Sequence, residues 1–222
     1  MAADRSITAA HNSGDPLTIA SSTRAVVHTL LASGHPGPAS QLAVTAAEQL
    51  DRAGDRTCPQ VMALSGALLL RGAIAAARDE NRQLTTALLN EAEEVAARIG
   101  HDGNTQWTAS GPTNVQLHRV ATAVDLGDAG TAVSIAAAVD PDTLPIPERR
   151  AALMIDTARA YTQWGKYQRA LDAIRAAERY YAPEEVRSRR SVHALIGDIT
   201  HRSPAPVQRQ ARAYAHRVGA QL

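Results

Sequence analysis

Arg24 and His28 stand four residues apart, Arg71 and Arg78 seven apart, and Asn114, His118 and Asp125 follow one another at intervals of four and seven. On a helix that turns about 100° per residue, each set shares one face. Asp156 and Arg159, with Gln163 close behind, form one more set of this kind. These residue types bind rather than react. An arginine grips a carboxylate in a two-pronged fork, and an asparagine amide both donates and accepts hydrogen bonds. A groove built from them would hold an extended peptide by its backbone and carboxylates. The same residues would serve as hydrogen-bond partners inside a helical repeat or as a solvated face, and the sequence leaves both readings open. Trp107 also has two readings. It is a pin that tucks a long loop against the helices on either side, or an aromatic wall of a pocket. The pin is preferred, because a long loop needs an apolar anchor.

Reaction chemistry is not legible in the chain. There is no glycine-rich phosphate loop, no His-Glu-x-x-His and no Gly-x-Ser-x-Gly elbow. The eight histidines do not fall at metal-ligand spacing. Glu93-Glu94 and Glu184-Glu185 are adjacent, so on a helix each pair diverges by about 100° and shares no site. The lone cysteine, Cys58, rules out an internal disulfide and a cysteine-based zinc site. The expectation is a binding protein, with no catalytic residue, metal or cofactor.

The elements that must position these residues are helical. Phe is absent and aromatics make up 3% of the chain, so the core has to be built from Ala, Leu, Val and Ile. Small side chains let helices approach closely, which suits stacked helical hairpins. Asp15-Pro16 reads as an N-cap followed by a proline in the first helical position, and Gly34 as a stop. The pattern predicts helices over 16–33, 38–53, 59–78, 82–99, 112–126, 129–139, 147–164, 166–181, 183–201 and 206–218. Residues 1–11 read as the tail of a helix, and 100–111 as an internal loop. Hairpins therefore start near 17, 59, 112, 146 and 184, at the spacing of helical-hairpin repeats. In the fourth, Ala158, Tyr161, Gly165, Tyr167, Ala170, Ile174 and Ala177 fall close to the tetratricopeptide offsets, with Ala158 and Ala170 small where two helices meet. Met154 stands where that pattern prefers Trp. The predicted fold is all-α: a right-handed α-solenoid of about five tetratricopeptide-like hairpins, forming one repeat domain over 1–222.

The net charge of +1 hides an asymmetry. Residues 148–222 hold 14 Arg and Lys against 7 Asp and Glu, while residues 1–147 hold 9 against 15. The basic third reads as the solvated outer faces of helices, with contact to nucleic acid as the sharper alternative. No uninterrupted run of about 18 apolar residues is present, and the first residues lack the charged and apolar regions of a secretory leader. Both point to a cytoplasmic chain that does not enter a membrane.

The stretch Trp107-Thr-Ala-Ser-Gly-Pro-Thr-Asn-Val-Gln-Leu-His118 resembles a large group of actinobacterial transcriptional regulators. These join an N-terminal helix-turn-helix domain of the xenobiotic-response-element type to tetratricopeptide-like repeats. The resemblance extends through Gly14-Asp15-Pro16-Leu17, Leu68-Leu69-Leu70-Arg71, Gly127-Asp128-Ala129-Gly130, Pro147-Glu148-Arg149-Arg150, Asp156-Thr-Ala-Arg-Ala-Tyr161 and Ala182-Pro183-Glu184-Glu185. Ser110 stands where members carry an aromatic before Gly-Pro. Residues 1–5 resemble the middle of a repeat, so the resemblance implies a regulator's C-terminal region without its DNA-reading head. It implies a ligand-sensing or oligomerising role, with a peptide or small molecule in the concave groove and a homodimer as a further possibility. DNA would be reached only through a helix-turn-helix domain outside this chain. The alternative is a stand-alone scaffold for a protein partner.

Overall fold

A computed structural model describes residues 2–221. Among these residues it contains twelve α-helices and no strand. They are α1 (Ala2–Ser13), α2 (Pro16–Ala32), α3 (Pro36–Ala53), α4 (Pro59–Arg78), α5 (Arg82–Ile99), α6 (Pro112–Asp125), α7 (Ala129–Ala138), α8 (Pro147–Gln163), α9 (Tyr167–Ala176), α10 (Pro183–Arg187), α11 (Arg190–Arg202) and α12 (Ala205–Val218). The all-α class and most boundaries agree with the sequence reading. Caps explain several starts. Asp15 accepts from the Thr18 N–H at 2.9 Å, Asn81 accepts from the Leu84 N–H at 3.0 Å, and α2, α4, α6 and α8 each begin on a proline.

The chain forms two compact units, residues 1–126 and 127–222. In the first, α4 is central. It packs against α2, α3, α5 and α6, while α3 also packs on α2 and α5 also packs on α6. Leu64, Leu68, Ala73 and Ala75 are fully buried, and Gly72 sits where an added Cβ would come within 3.2 Å of both Ala43 and Leu88. That close approach is what a core of Ala and Leu requires. By length and composition α4 would pass as a membrane-crossing helix, yet most of its surface is buried inside this unit. Arg71 interrupts its apolar run.

In the second unit α8 plays the corresponding part, packing on α7, α9, α10 and α11, with α12 against α11 and α9. Ala158 and Ala170 are both fully buried, as expected for small residues at a helix–helix contact. Two details differ from the sequence reading. The predicted helix 166–181 ends as α9 and passes into a π-helical turn over Ala177–Tyr181. The predicted helix 183–201 is broken at Ser188 and Arg189 into α10 and α11. The break has a phase cause. Val186 is buried, but the next positions on its helical face, three and four residues on, are Arg189 and Arg190. Re-aiming the chain there lets Val192, Leu195, Ile196 and Ile199 be buried on a fresh helix while both arginines stay exposed.

The π-turn lowers Glu178 into the interior, where it is 4% exposed. Arg217 donates to both carboxylate oxygens at 3.2 and 2.8 Å, Tyr214 donates at 3.1 Å, and Arg187 donates at 3.1 Å. Burial pushes the Glu178 carboxyl up. The hydrogen bonds from Arg217, Tyr214 and Arg187 outweigh it and hold the group below the usual carboxylate range. Burial, together with the Glu178 charge, raises the Tyr214 hydroxyl well above its ordinary value. One carboxylate thus ties α12 and α10 to the turn after α9.

Candidate functional site

The most elaborate backbone in the first unit is the loop before α6. Gly111 there has φ 146, and a Cβ on it would lie 2.4 Å from an Asp102 carboxylate oxygen and 2.7 Å from the His101 carbonyl. Only glycine fits so close to another backbone segment. Asp102 caps α6 from eleven residues upstream in sequence. Its carboxylate accepts from the Thr113 N–H at 2.9 Å and from the Thr113 hydroxyl at 2.5 Å. The Gly103 N–H donates to the Ser110 carbonyl at 2.8 Å, and the Ala109 N–H donates to the Asn104 side-chain oxygen at 3.1 Å. Within this frame Gln106, Trp107 and Ala109 all adopt positive φ, at 53°, 56° and 52°. Side chains other than glycine take that region at a cost of about 1 kcal/mol or more each, so the closing contacts must over-determine the loop.

This arrangement corrects the preferred reading of Trp107. The indole is not tucked under the loop; it is 83% exposed. The pin is made instead by Thr108 and Ser110, both buried, and by the Asp102 and Asn104 side chains. An aromatic that stands in solvent on a braced loop can take part in a surface, and it contributes little to the fold.

Asn114 lies beneath the same loop. It is 2% exposed, and its side-chain oxygen is buried with no donor. It lines a small cavity of about 10 Å³ with Gly66, Ala67, Ala92, Thr108 and Ser110. His118 keeps a local contact, its Nδ1 lying 2.8 Å from the Asn114 carbonyl one turn back. Their common ridge on α6 therefore divides, with Asn114 turned inward and His118 half-buried.

Two further pairs of the sequence set meet. Arg78 and Asp125 form an ion pair at 3.1 Å, joining the C-terminal ends of α4 and α6. Arg24 donates a long hydrogen bond, 3.5 Å, to the Trp107 carbonyl, joining α2 to the loop. Arg24, His28, Arg71, His118 and Asp125 each also take part in a hydrogen bond, ring contact or electrostatic interaction, so none of them stands without a partner. Asp156 and Arg159 belong to the second unit, where they pair at 2.9 Å along α8. Sequence spacing missed two supports. Arg82 donates to the Leu126 carbonyl at 2.8 Å, and Arg119 bridges to Asn90 and Glu93 at 3.0 Å each. Both are contacts over more than 25 positions, beyond the reach of any local pattern.

No protein-family model, characterised protein or solved structure matches the chain.

Proposed function

We propose that this chain is a regulatory domain built from tetratricopeptide-like hairpins, a right-handed α-solenoid with about five hairpins in all, that binds a peptide or small ligand in its groove and serves a cytoplasmic transcriptional regulator. The observation that carries this reading is the packing around α4. First helices of successive hairpins, α2, α4 and α6, lie side by side, while their second helices, α3 and α5, each bridge two of them. In such a ladder the first helices line the inner face. That face carries Arg24, His28, Arg71, Arg78, His118 and Asp125, with Trp107 displayed from the adjoining loop. The arginines suit carboxylates, and the ion pair between Arg78 and Asp125 gives a ligand carboxylate or ammonium something to compete with. The regulatory role rests on the family resemblance of the Trp107–His118 stretch and on no chemistry of the site.

Thermal unfolding of the full chain against low-molecular-mass fractions of a host cell extract tests the proposal. A ligand present at about 100 times its Kd adds about 2.7 kcal/mol to stability. One fraction should raise the Tm of the wild type and leave an Arg71→Ala/His118→Ala variant unmoved. If every fraction is inert while the chain sediments as a stable dimer, oligomerisation is the function and the groove reading fails. A stoichiometric protein partner whose binding is unaffected by the double variant would favour the scaffold alternative.

A further inference from the structure

The hairpin formed by α11 and α12 has a charge distribution that the fold does not explain. The two helices, joined by Ser203 and Pro204, carry Arg190, Arg202, Arg209, Arg212 and Arg217 against a single acid, Asp198. In the same unit six arginines meet carboxylates, while Arg149, Arg169, Arg179 and Arg190 meet none among the described residues. Arg150 pairs with Asp142, Arg159 with Asp156, Arg175 with Asp172, Arg189 with Glu185, and Arg187 and Arg217 share Glu178. Among the described residues Arg202, Arg209 and Arg212 meet no carboxylate, and all three are exposed. Desolvation is therefore no obstacle to their binding an anion.

Their placement is ordered. On α12, Arg209, Arg212 and His216 fall within about 60° of arc at about 100° per residue, over about 10 Å of helix. The opposite face, with Ala211, Tyr214, Ala215 and Val218, is buried. Arg202 stands at the turn that leads into this stripe. α12 contains no acidic residue at all.

We propose that this face of the α11–α12 hairpin docks on the phosphate backbone of double-stranded DNA, through Arg202, Arg209 and Arg212 and without reading base sequence. Three observations choose this partner. The cations are arginines, whose planar fork matches phosphate. Beside them on α12 the exposed residues Gln210 and Ala213 are polar or small, so there is no large apolar edge to enter a bilayer. Neither helix exposes a Tyr, Trp or Phe ring on which unpaired bases would stack, since Tyr214 is buried and covered by Arg175 and Arg217, and the exposed rings are the smaller imidazoles of His201 and His216. A duplex, with one charge per about 1.7 Å of axis, is the polyanion that such a stripe fits. The contact is independent of the groove reading.

Fluorescence anisotropy of a labelled random-sequence duplex with the full chain provides the test, run between about 50 and 200 mM salt. Each phosphate neutralised contributes about 0.9 to the salt slope, so the logarithm of the binding constant should fall with a slope of about −3. Arg209→Gln/Arg212→Gln should reduce that slope by about 2 and weaken binding equally for unrelated sequences. Arg52→Gln/Arg56→Gln, on the first unit, should leave the slope unchanged. Circular dichroism confirms folding of each variant. Absence of binding at the lowest salt, or a slope indifferent to the α12 variant, overturns the proposal. So does binding of anionic vesicles or polyglutamate with the same arginine dependence and a higher affinity than the duplex.

Discussion

The two units close their cores with different materials. The first is knitted by a long helix of Ala and Leu, α4, whose small residues let four neighbours approach it. The second is tied at its C-terminal end by a buried carboxylate, Glu178, gripped by two arginines and a tyrosine at the mouth of a π-turn. Apolar packing has no direction and no pH dependence; a carboxylate clasp has both. The difference means that acid should loosen the C-terminal end of the second unit through Glu178, while the apolar packing on α4 in the first is left unchanged.

The largest effect is expected in the apolar unit. Leu68→Ala removes a fully buried side chain from the centre of α4 and should cost about 3 kcal/mol in denaturant unfolding. The loss should be the same at neutral and acid pH. Glu178→Gln comes next, at about 2 kcal/mol near neutrality, since it weakens charge-assisted hydrogen bonds to three side chains. Here the pH dependence has a definite sign. The Glu178 carboxyl is held below its usual range in the folded chain. Its stabilisation is therefore present above the unfolded value of about 4.3 and is lost as pH falls through the lower folded value. Protection factors along α12, taken against the intrinsic exchange rate at each pH, should fall in the wild type over that acid window, whereas in Glu178→Gln they are lowered throughout. Equal acid sensitivity of α12 in the two proteins would remove the contrast between the units. The smallest effects belong to the loop before α6. Asp102→Ala deletes a helix cap and should cost about 1 kcal/mol, while Trp107→Ala, with its ring in solvent, should change stability by less than about 0.5 kcal/mol. A Trp107 substitution that destabilises as much as the loss of the cap would restore the pin reading.

Much of the fold was legible because its signals are local. N-terminal prolines, terminal glycines and apolar residues at helical spacing marked the helices. Even the break at Ser188 had a signal in the phase of Val186 against Arg189 and Arg190. The candidate site was less legible. Arg78 and Asp125 were each singled out for a helix face, but nothing in their spacing said that they would pair across 47 positions. Asn114 and His118 share a face at i and i+4, and packing still separates them, because Asn114 is buried beside Thr108 and Ser110 of the loop while His118 stays half-buried.

The sequence by itself determined the all-α class, the apolar stripes and the unequal distribution of charge, since these follow from residue type and the helical period. Only the tertiary structure decided that Asp102 reaches back to cap α6, that Trp107 stands in solvent, and that Glu178 is buried among arginines while Arg202, Arg209 and Arg212 are left to water. Each depends on where distant segments meet, and the balance of desolvation against pairing is struck only at that meeting.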